Sequence, residues 1–176
     1  MFLKNCENHE KNECKILQRP RGAGKTTALI TTSAITEYPI MVVTRREEEF
    51  LKEYAESLNL KIPSPLTAFL QFLSGMSGLT GSVDNPQYTK ILIDEYDAVY
   101  EYFVKVTLNK IEESSLGETV KRSIIYDILR ETPIEFLSNE LYTRGYNVVA
   151  ATTSYTEKEI KKKGLDILNE YILKDY

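Results

Sequence analysis

The chain has 176 residues, 42% hydrophobic and 27% charged, with a net charge of −4. That make-up fits one globular domain with a buried core, and the negative balance excludes a surface built throughout to coat nucleic acid, though not a local basic patch. No apolar run approaches the roughly 20 residues that span a bilayer, and Met1-Phe2-Leu3-Lys4-Asn5-Cys6 is too polar for a secretory signal, so the chain reads as cytoplasmic with no membrane partner.

Residues 1–13 read as an N-terminal extension and 14–176 as a single domain. The only histidine and both cysteines, Cys6, His9 and Cys14, fall close together. They are soft ligands, but a structural zinc site wants four and no fourth partner is evident. A disulfide is disfavoured in a reducing compartment.

Cys14 to Gln18 is a short apolar run that predicts a first strand. It leads into Arg19-Pro20-Arg21-Gly22-Ala23-Gly24-Lys25-Thr26-Thr27, and Thr26 to Thr36 reads as helix. Strand, glycine-bearing turn and helix in that order make a frame for a polyphosphate. Glycines let the backbone curl so that successive N–H groups face phosphate oxygens, and the helix start adds unpaired donors and the positive end of its dipole. Lys25 then reaches the β- and γ-phosphates, and the Thr26 hydroxyl takes a place on Mg²⁺. The usual G-x-x-x-x-G-K-[ST] pattern is broken at its first glycine, where Arg19 stands.

Tyr38-Pro39 marks a boundary. Ile40 to Val43 predicts a short buried strand, and Arg46 to Leu58 an amphipathic helix with Phe50, Leu51, Tyr54, Ala55 and Leu58 on one face. After Pro63 and Pro65, a helix beginning at Ser64 or Pro65 is expected to carry Leu66, Phe69, Leu70 and Leu73. Residues 74–89, with Gly75, Gly78, Gly81 and Pro86, read as a long functional loop.

Lys90-Ile91-Leu92-Ile93-Asp94-Glu95 is the second diagnostic stretch. An unbroken apolar run ending in two acids predicts a buried parallel strand that delivers carboxylates at its C-terminal edge. Beside a phosphate loop, Asp94 orders Mg²⁺ and Glu95 polarises an attacking water. Asp97 reads as a helix cap or a solvent-facing group.

Helices are expected over Tyr100 to Lys110, Val120 to Leu129 and Pro133 to Arg144, the last stopped at Gly145. Tyr146 to Ala151 predicts another buried strand, ending in the hydroxyls of Thr152, Thr153 and Ser154, which either sense a γ-phosphate or cap a helix over 156–163. Lys158, Lys161, Lys162 and Lys163 form the clearest basic cluster, read as a solvated helix end. Residues 165–176 fit a helix or a last strand equally. Strands separated by helices give an α/β domain with a mainly parallel central sheet flanked by helices, its ligand edge at the strand C-termini.

Arg21-Gly22-Ala23-Gly24-Lys25-Thr26-Thr27, Ile91-Leu92-Ile93-Asp94-Glu95 and the Thr-ended strand together resemble the P-loop ATPases that carry a catalytic glutamate beside the Walker B aspartate. Within that division the chain looks most like the helicase and phage DNA-packaging (terminase-type) branch. Arg21, three residues before the glycine of G-K-T, and Val42-Val43-Thr44-Arg45-Arg46 carry the likeness to packaging motors. The resemblance implies a three-layer RecA-like P-loop NTPase fold that binds ATP and Mg²⁺. It implies phosphate binding by Gly22, Ala23, Gly24, Lys25, Thr26 and Thr27, metal binding by Thr26 and Asp94, and catalysis by Glu95, Lys25 and Arg21. Arg21 would touch the γ-phosphate, while Thr152 and Thr153 would contact nucleotide and couple hydrolysis to movement. A finger from a neighbouring subunit would come from Arg122, Arg130 or Arg144.

Terminases continue into a nuclease domain and helicases into a second RecA-like domain, and 176 residues leave room for neither. The implied protein is a minimal ATPase acting on double-stranded DNA as a homo-oligomeric ring, a piece of a split machine with a partner subunit, or a stand-alone regulator. Its place would be the cytoplasm, the host's if phage-encoded. Two other readings remain. A thymidine-kinase-like nucleoside kinase shares the G-K-T loop and the Ile-Asp-Glu strand end, but its four-cysteine zinc site and its lasso after Ala151 are missing here. A non-hydrolysing nucleotide-binding regulatory module would use the same loop without turnover.

Overall fold

The computed structural model describes residues 15–63, 66–67, 89–142 and 146–174. Cys6, His9, Cys14, Arg144, Gly145 and the 74–88 part of the expected loop lie outside them.

Among the described residues the chain is α/β with an all-parallel sheet. Four strands make its body: β1 (Lys15–Gln18), β2 (Ile40–Val42), β4 (Thr89–Ile93) and β5 (Tyr146–Thr153). A two-residue strand, β3 (Leu66–Thr67), lies on the edge beside β2, giving the order β1-β5-β4-β2-β3. The helix expected from Ser64 or Pro65 therefore does not form at Leu66, which pairs with Met41 instead. Pro65 favours extended backbone before it, and the exposed edge of β2 offers hydrogen bonds that a helix start would forgo. Phe69, Leu70 and Leu73 lie outside the described residues.

The central strands β2 and β4 are buried on both faces over Ile40–Val42 and Ile91–Ile93, as unbroken apolar runs require. Ile40, Val42 and Leu92 point to one side, where they pack with Leu29 and Ile30 of α1 (Lys25–Thr36) and Leu51 and Ala55 of α2 (Arg45–Ser57). Met41, Ile91, Ile93 and Ala151 point to the other. There they meet α3 (Tyr96–Glu113), α4 (Glu118–Arg130), α5 (Pro133–Tyr142) and α6 (Glu157–Lys174). Helix α3 supplies the largest share of that core through Tyr96, Val99, Tyr100, Phe103, Val104, Leu108 and Ile111, which recur at the spacing of one helix face.

Helix α6 decides the open question at the C-terminus. One helix runs from Glu157 through Gly164 to Lys174. A side chain at Gly164 would sit 2.6 Å from the hydroxyl of buried Tyr100, so the glycine marks the close approach of α6 to α3 rather than a break. The lysine cluster is correspondingly in the first half of a long helix, not at a helix C-terminus. Lys161 donates to the backbone carbonyls of Ile128 and Glu131, and Lys163 pairs with Asp97 and Glu101, leaving Lys158 and Lys162 exposed. No helix among the described residues is long and apolar enough to cross a membrane.

Candidate functional site

The C-terminal ends of β1, β4 and β5 meet at one edge of the sheet. After β1 the chain turns at Arg19–Gly24, where Gly22 and Gly24 adopt left-handed backbone (φ 81° and 80°). A Cβ on either would meet nothing within 4 Å, so these glycines answer a backbone requirement and not a crowded one. The Ala23 N–H turns back to the Pro20 carbonyl (3.2 Å). Gly24 caps α1 without any side-chain hydrogen bond. By contrast α2, α5 and α6 open with reciprocal Thr–Glu boxes, Thr44/Glu47, Thr132/Glu135 and Thr156/Glu159. The first turn of α1, whose residues Lys25, Thr26 and Thr27 line the cleft, thus has no side-chain cap for its N–H donors.

The Lys25 ammonium folds over the loop, donating to the carbonyls of Arg19 (2.8 Å) and Pro20 (3.1 Å) and to the Ser154 hydroxyl (3.3 Å). One residue on, the Thr26 hydroxyl reaches Asp94 Oδ2 at 3.4 Å, across 68 positions of sequence. Arg21, Gly22, Gly24, Lys25, Thr26, Thr27, Asp94 and Glu95 all line one open cleft of about 730 Å³. Ala23 does not line it.

Asp94 is 8% exposed, and its other oxygen accepts from the Thr152 hydroxyl at 3.1 Å. A ladder irregularity makes that contact. Thr89, Lys90 and Ile91 pair with Tyr146, Asn147 and Val148, but the register then shifts so that Leu92 and Ile93 pair with Ala150 and Ala151. Continued one step, Asp94 lies opposite Thr152. An unshifted ladder would have set Ala151 there, because a one-residue slip exchanges the two faces of a strand.

Glu95 follows with left-handed backbone (φ 49°) and opens α3 without a side-chain cap. Of the three non-glycine residues with positive φ among the described residues, Glu37 and Asn59 sit where helices end; Glu95 sits where one begins. That conformation costs about 1–2 kcal/mol, at a residue that lines the cleft. Asp97 is neither a cap nor solvent-facing. It is 6% exposed, accepts from the Thr153 hydroxyl (3.3 Å) and pairs with Lys163 (3.3 Å). Its place in the first turn of α3, turned towards β5 and α6, buries it. Thr152 and Thr153 accordingly lie behind the cleft wall holding carboxylates, while Ser154 and Tyr155 line the cleft itself.

The site is electrostatically loaded. Burial pushes the Asp94 carboxyl above its ordinary range, and Glu47 adds to the push, against hydrogen bonds from Thr152, the Glu95 backbone and Thr26. Burial also raises Glu95, reinforced by Asp94, Asp97 and Glu47 and opposed by Lys25. Acids gathered with too little positive charge fit a place that receives a cation. No group of three or more His, Cys, Asp or Glu among the described residues is arranged to hold a metal alone. The donor set is instead one hydroxyl and one carboxylate. That suits Mg²⁺, which keeps several waters and takes its remaining ligands from substrate phosphates.

Sequence reasoning missed the second wall of the cleft. Glu47, Phe50, Leu51 and Tyr54 of α2 line it, with Tyr155 opposite. Only Leu51 and Ala55 of the expected apolar face are fully buried; Phe50 is 57% exposed and Leu58 37%. The signal available was an aromatic pair four residues apart on a helix directly after the second strand. Arg122 and Arg130 are exposed on α4, and Arg45 and Arg46 are exposed in the first turn of α2. Comparison of the chain with protein-family models, curated proteins and solved structures finds no match.

Proposed function

We propose that the protein is a Mg²⁺-dependent nucleoside triphosphatase, with ATP as substrate, built on a three-layer RecA-like P-loop NTPase fold. One observation carries this. The Thr26 hydroxyl and Asp94 carboxylate, delivered by a helix start and a distant strand end, meet at 3.4 Å in a cleft that Lys25 and Glu95 also line.

In this mechanism the loop N–H groups and the start of α1 receive the β- and γ-phosphates. The Lys25 ammonium leaves the Arg19 and Pro20 carbonyls for phosphate oxygens, giving up neutral acceptors for anionic ones. Thr26 and Asp94 would hold Mg²⁺, which supplies charge neutralisation at the phosphate oxygens when bound. Glu95 takes a proton from water as that oxygen bonds to the γ-phosphorus. The bond from γ-phosphorus to the bridging oxygen breaks, and the diphosphate leaves with its electron pair beside Lys25. Arg21, on the cleft rim, faces charge spreading over the γ-phosphoryl oxygens. Thr152 and Thr153, tied to Asp94 and Asp97, would transmit changes at those carboxylates into β5 and α6. Because Glu95 must be ionised, turnover rises as pH climbs through its raised pKa.

Action on double-stranded DNA as a packaging or helicase-like motor, in a ring or with a partner subunit, is the finer part of the proposal. Arg21 and Arg45-Arg46 support it through resemblance. The test pairs two assays. Equilibrium binding of ATP should require Mg²⁺ and disappear in Lys25→Ala, and turnover should rise with duplex DNA in a salt-dependent way. Binding by Lys25→Ala at full affinity would overturn the site; a rate indifferent to DNA would overturn the motor. The aromatic second wall favours one alternative, a nucleoside kinase, for which phosphate transfer to thymidine in place of bare ATP hydrolysis is the deciding result.

A further inference from the structure

The cleft is lined by two chemically different groups of residues. One is the loop with Thr26 and Asp94; the other is Val42 with Glu47, Phe50, Leu51 and Tyr54 of α2, largely apolar and aromatic. The rings of Phe50 and Tyr54 stack at 5.8 Å between centroids and 22° between planes. The Tyr54 hydroxyl is hydrogen-bonded to the Thr27 hydroxyl at 2.8 Å, which fixes the ring pair one residue beyond the proposed metal-binding threonine. Phe50 nonetheless keeps 57% of its surface exposed, an unusual place for a phenyl ring with a buried apolar face available on the same helix. Tyr155, the other aromatic of the cleft, already carries the Lys163 ammonium 3.6 Å from its ring centroid.

We infer that Phe50, backed by Tyr54, is the stacking platform for a planar nucleobase. A base offers a π-face to any aromatic ring, and such stacks form without base-edge hydrogen bonds. This rests on the triphosphate reading of the loop. The base belongs either to the bound triphosphate or to a separate nucleoside.

Calorimetric binding of ATP, of inorganic tripolyphosphate and of free adenosine and thymidine tests it, on wild type, Phe50→Ala, Phe50→Trp and Tyr54→Phe. With Phe50 largely exposed, its truncation leaves the core intact. Phe50→Ala should weaken ATP roughly tenfold, the order of one lost base–aromatic stack, with tripolyphosphate unchanged. Phe50→Trp should keep ATP affinity. The chain has no tryptophan, so its indole is a sole reporter that ATP quenches and tripolyphosphate does not. Tyr54→Phe keeps the ring and should retain most ATP affinity. An unchanged ATP affinity in Phe50→Ala, with loss of nucleoside uptake by the tripolyphosphate-loaded protein, supports the platform and assigns it to a second substrate. Equal losses for ATP and tripolyphosphate, or no loss for any base-bearing ligand, overturn the platform while leaving the phosphate site standing. A wild-type protein that takes up neither ATP nor tripolyphosphate overturns both.

Discussion

Replacing Thr152 by valine removes one hydroxyl from the wall behind the cleft and little else. The side chain is 1% exposed and its hydroxyl donates to Asp94 Oδ1 at 3.1 Å. A hydrogen bond to a charged group is worth about 1.5–3 kcal/mol, and its acceptor here is a buried carboxylate with few other donors. For a chain of this length each kcal/mol moves the melting point by about 2–4 °C, so Thr152→Val should melt roughly 3–12 °C lower at neutral pH. The loss has a pH signature. Burial places the folded Asp94 pKa above its ordinary 3.8, so the charge-assisted part is present above that raised value and fades as pH falls through it. Urea unfolding of wild type, Thr152→Val, Asp94→Asn and the double variant, at pH 7.5 and in acid, separates the terms. Most of the Thr152→Val loss should vanish in the Asp94→Asn background and shrink in acid. Strict additivity, or an equal loss at both pH values, would refute the pairing.

Gly164→Ala should destabilise the fold by about 1–3 kcal/mol in spite of alanine's helix propensity, because its Cβ would lie 2.6 Å from the Tyr100 hydroxyl and 2.7 Å from Cε1. A higher melting point would mean that the ring has room to move. Glu157 accepts from the Tyr96 hydroxyl through Oε1 and is raised above 4.5 by burial, against the hydrogen bonds it receives from Tyr96 and the Ile134 backbone. Ionising it costs more in the folded than in the unfolded chain, so wild-type stability falls as pH rises from 4.5 through the folded value. Glu157→Gln should flatten that slope, and equal urea-midpoint gaps between pH 4.5 and 7.5 in both proteins would contradict the assignment.

Much of the site was legible because its residues sit where two patterns change. Ile91–Ile93 is apolar on both faces and the run gives way abruptly to two acids, which placed Asp94 and Glu95 at a strand end. Gly22 and Gly24 before a helix announced the turn that β1 feeds. Less visible were features fixed by tertiary neighbours. The register shift after Ile91 depends on how β5 lies against β4, and neither strand's composition marks it. Asp97 is buried because Lys163 and Thr153 arrive from 66 and 56 positions away. Gly164 resembles a helix stop until Tyr100 is packed on it. Leu66 carried a helical spacing with Phe69, Leu70 and Leu73, yet the free edge of β2 took it as a strand. Phe50 shared the apolar face of α2 by periodicity, and only the cleft beside Thr27 distinguishes it from core.

The most direct test of the account is phosphate release from Mg·ATP by wild type and Glu95→Gln, with nucleotide binding measured on the same samples. Wild type should release phosphate, and Glu95→Gln should bind ATP unchanged while turning over at least a hundredfold more slowly, the scale of a lost general base. Full turnover by Glu95→Gln, or ATP bound by wild type with no phosphate released, would contradict it.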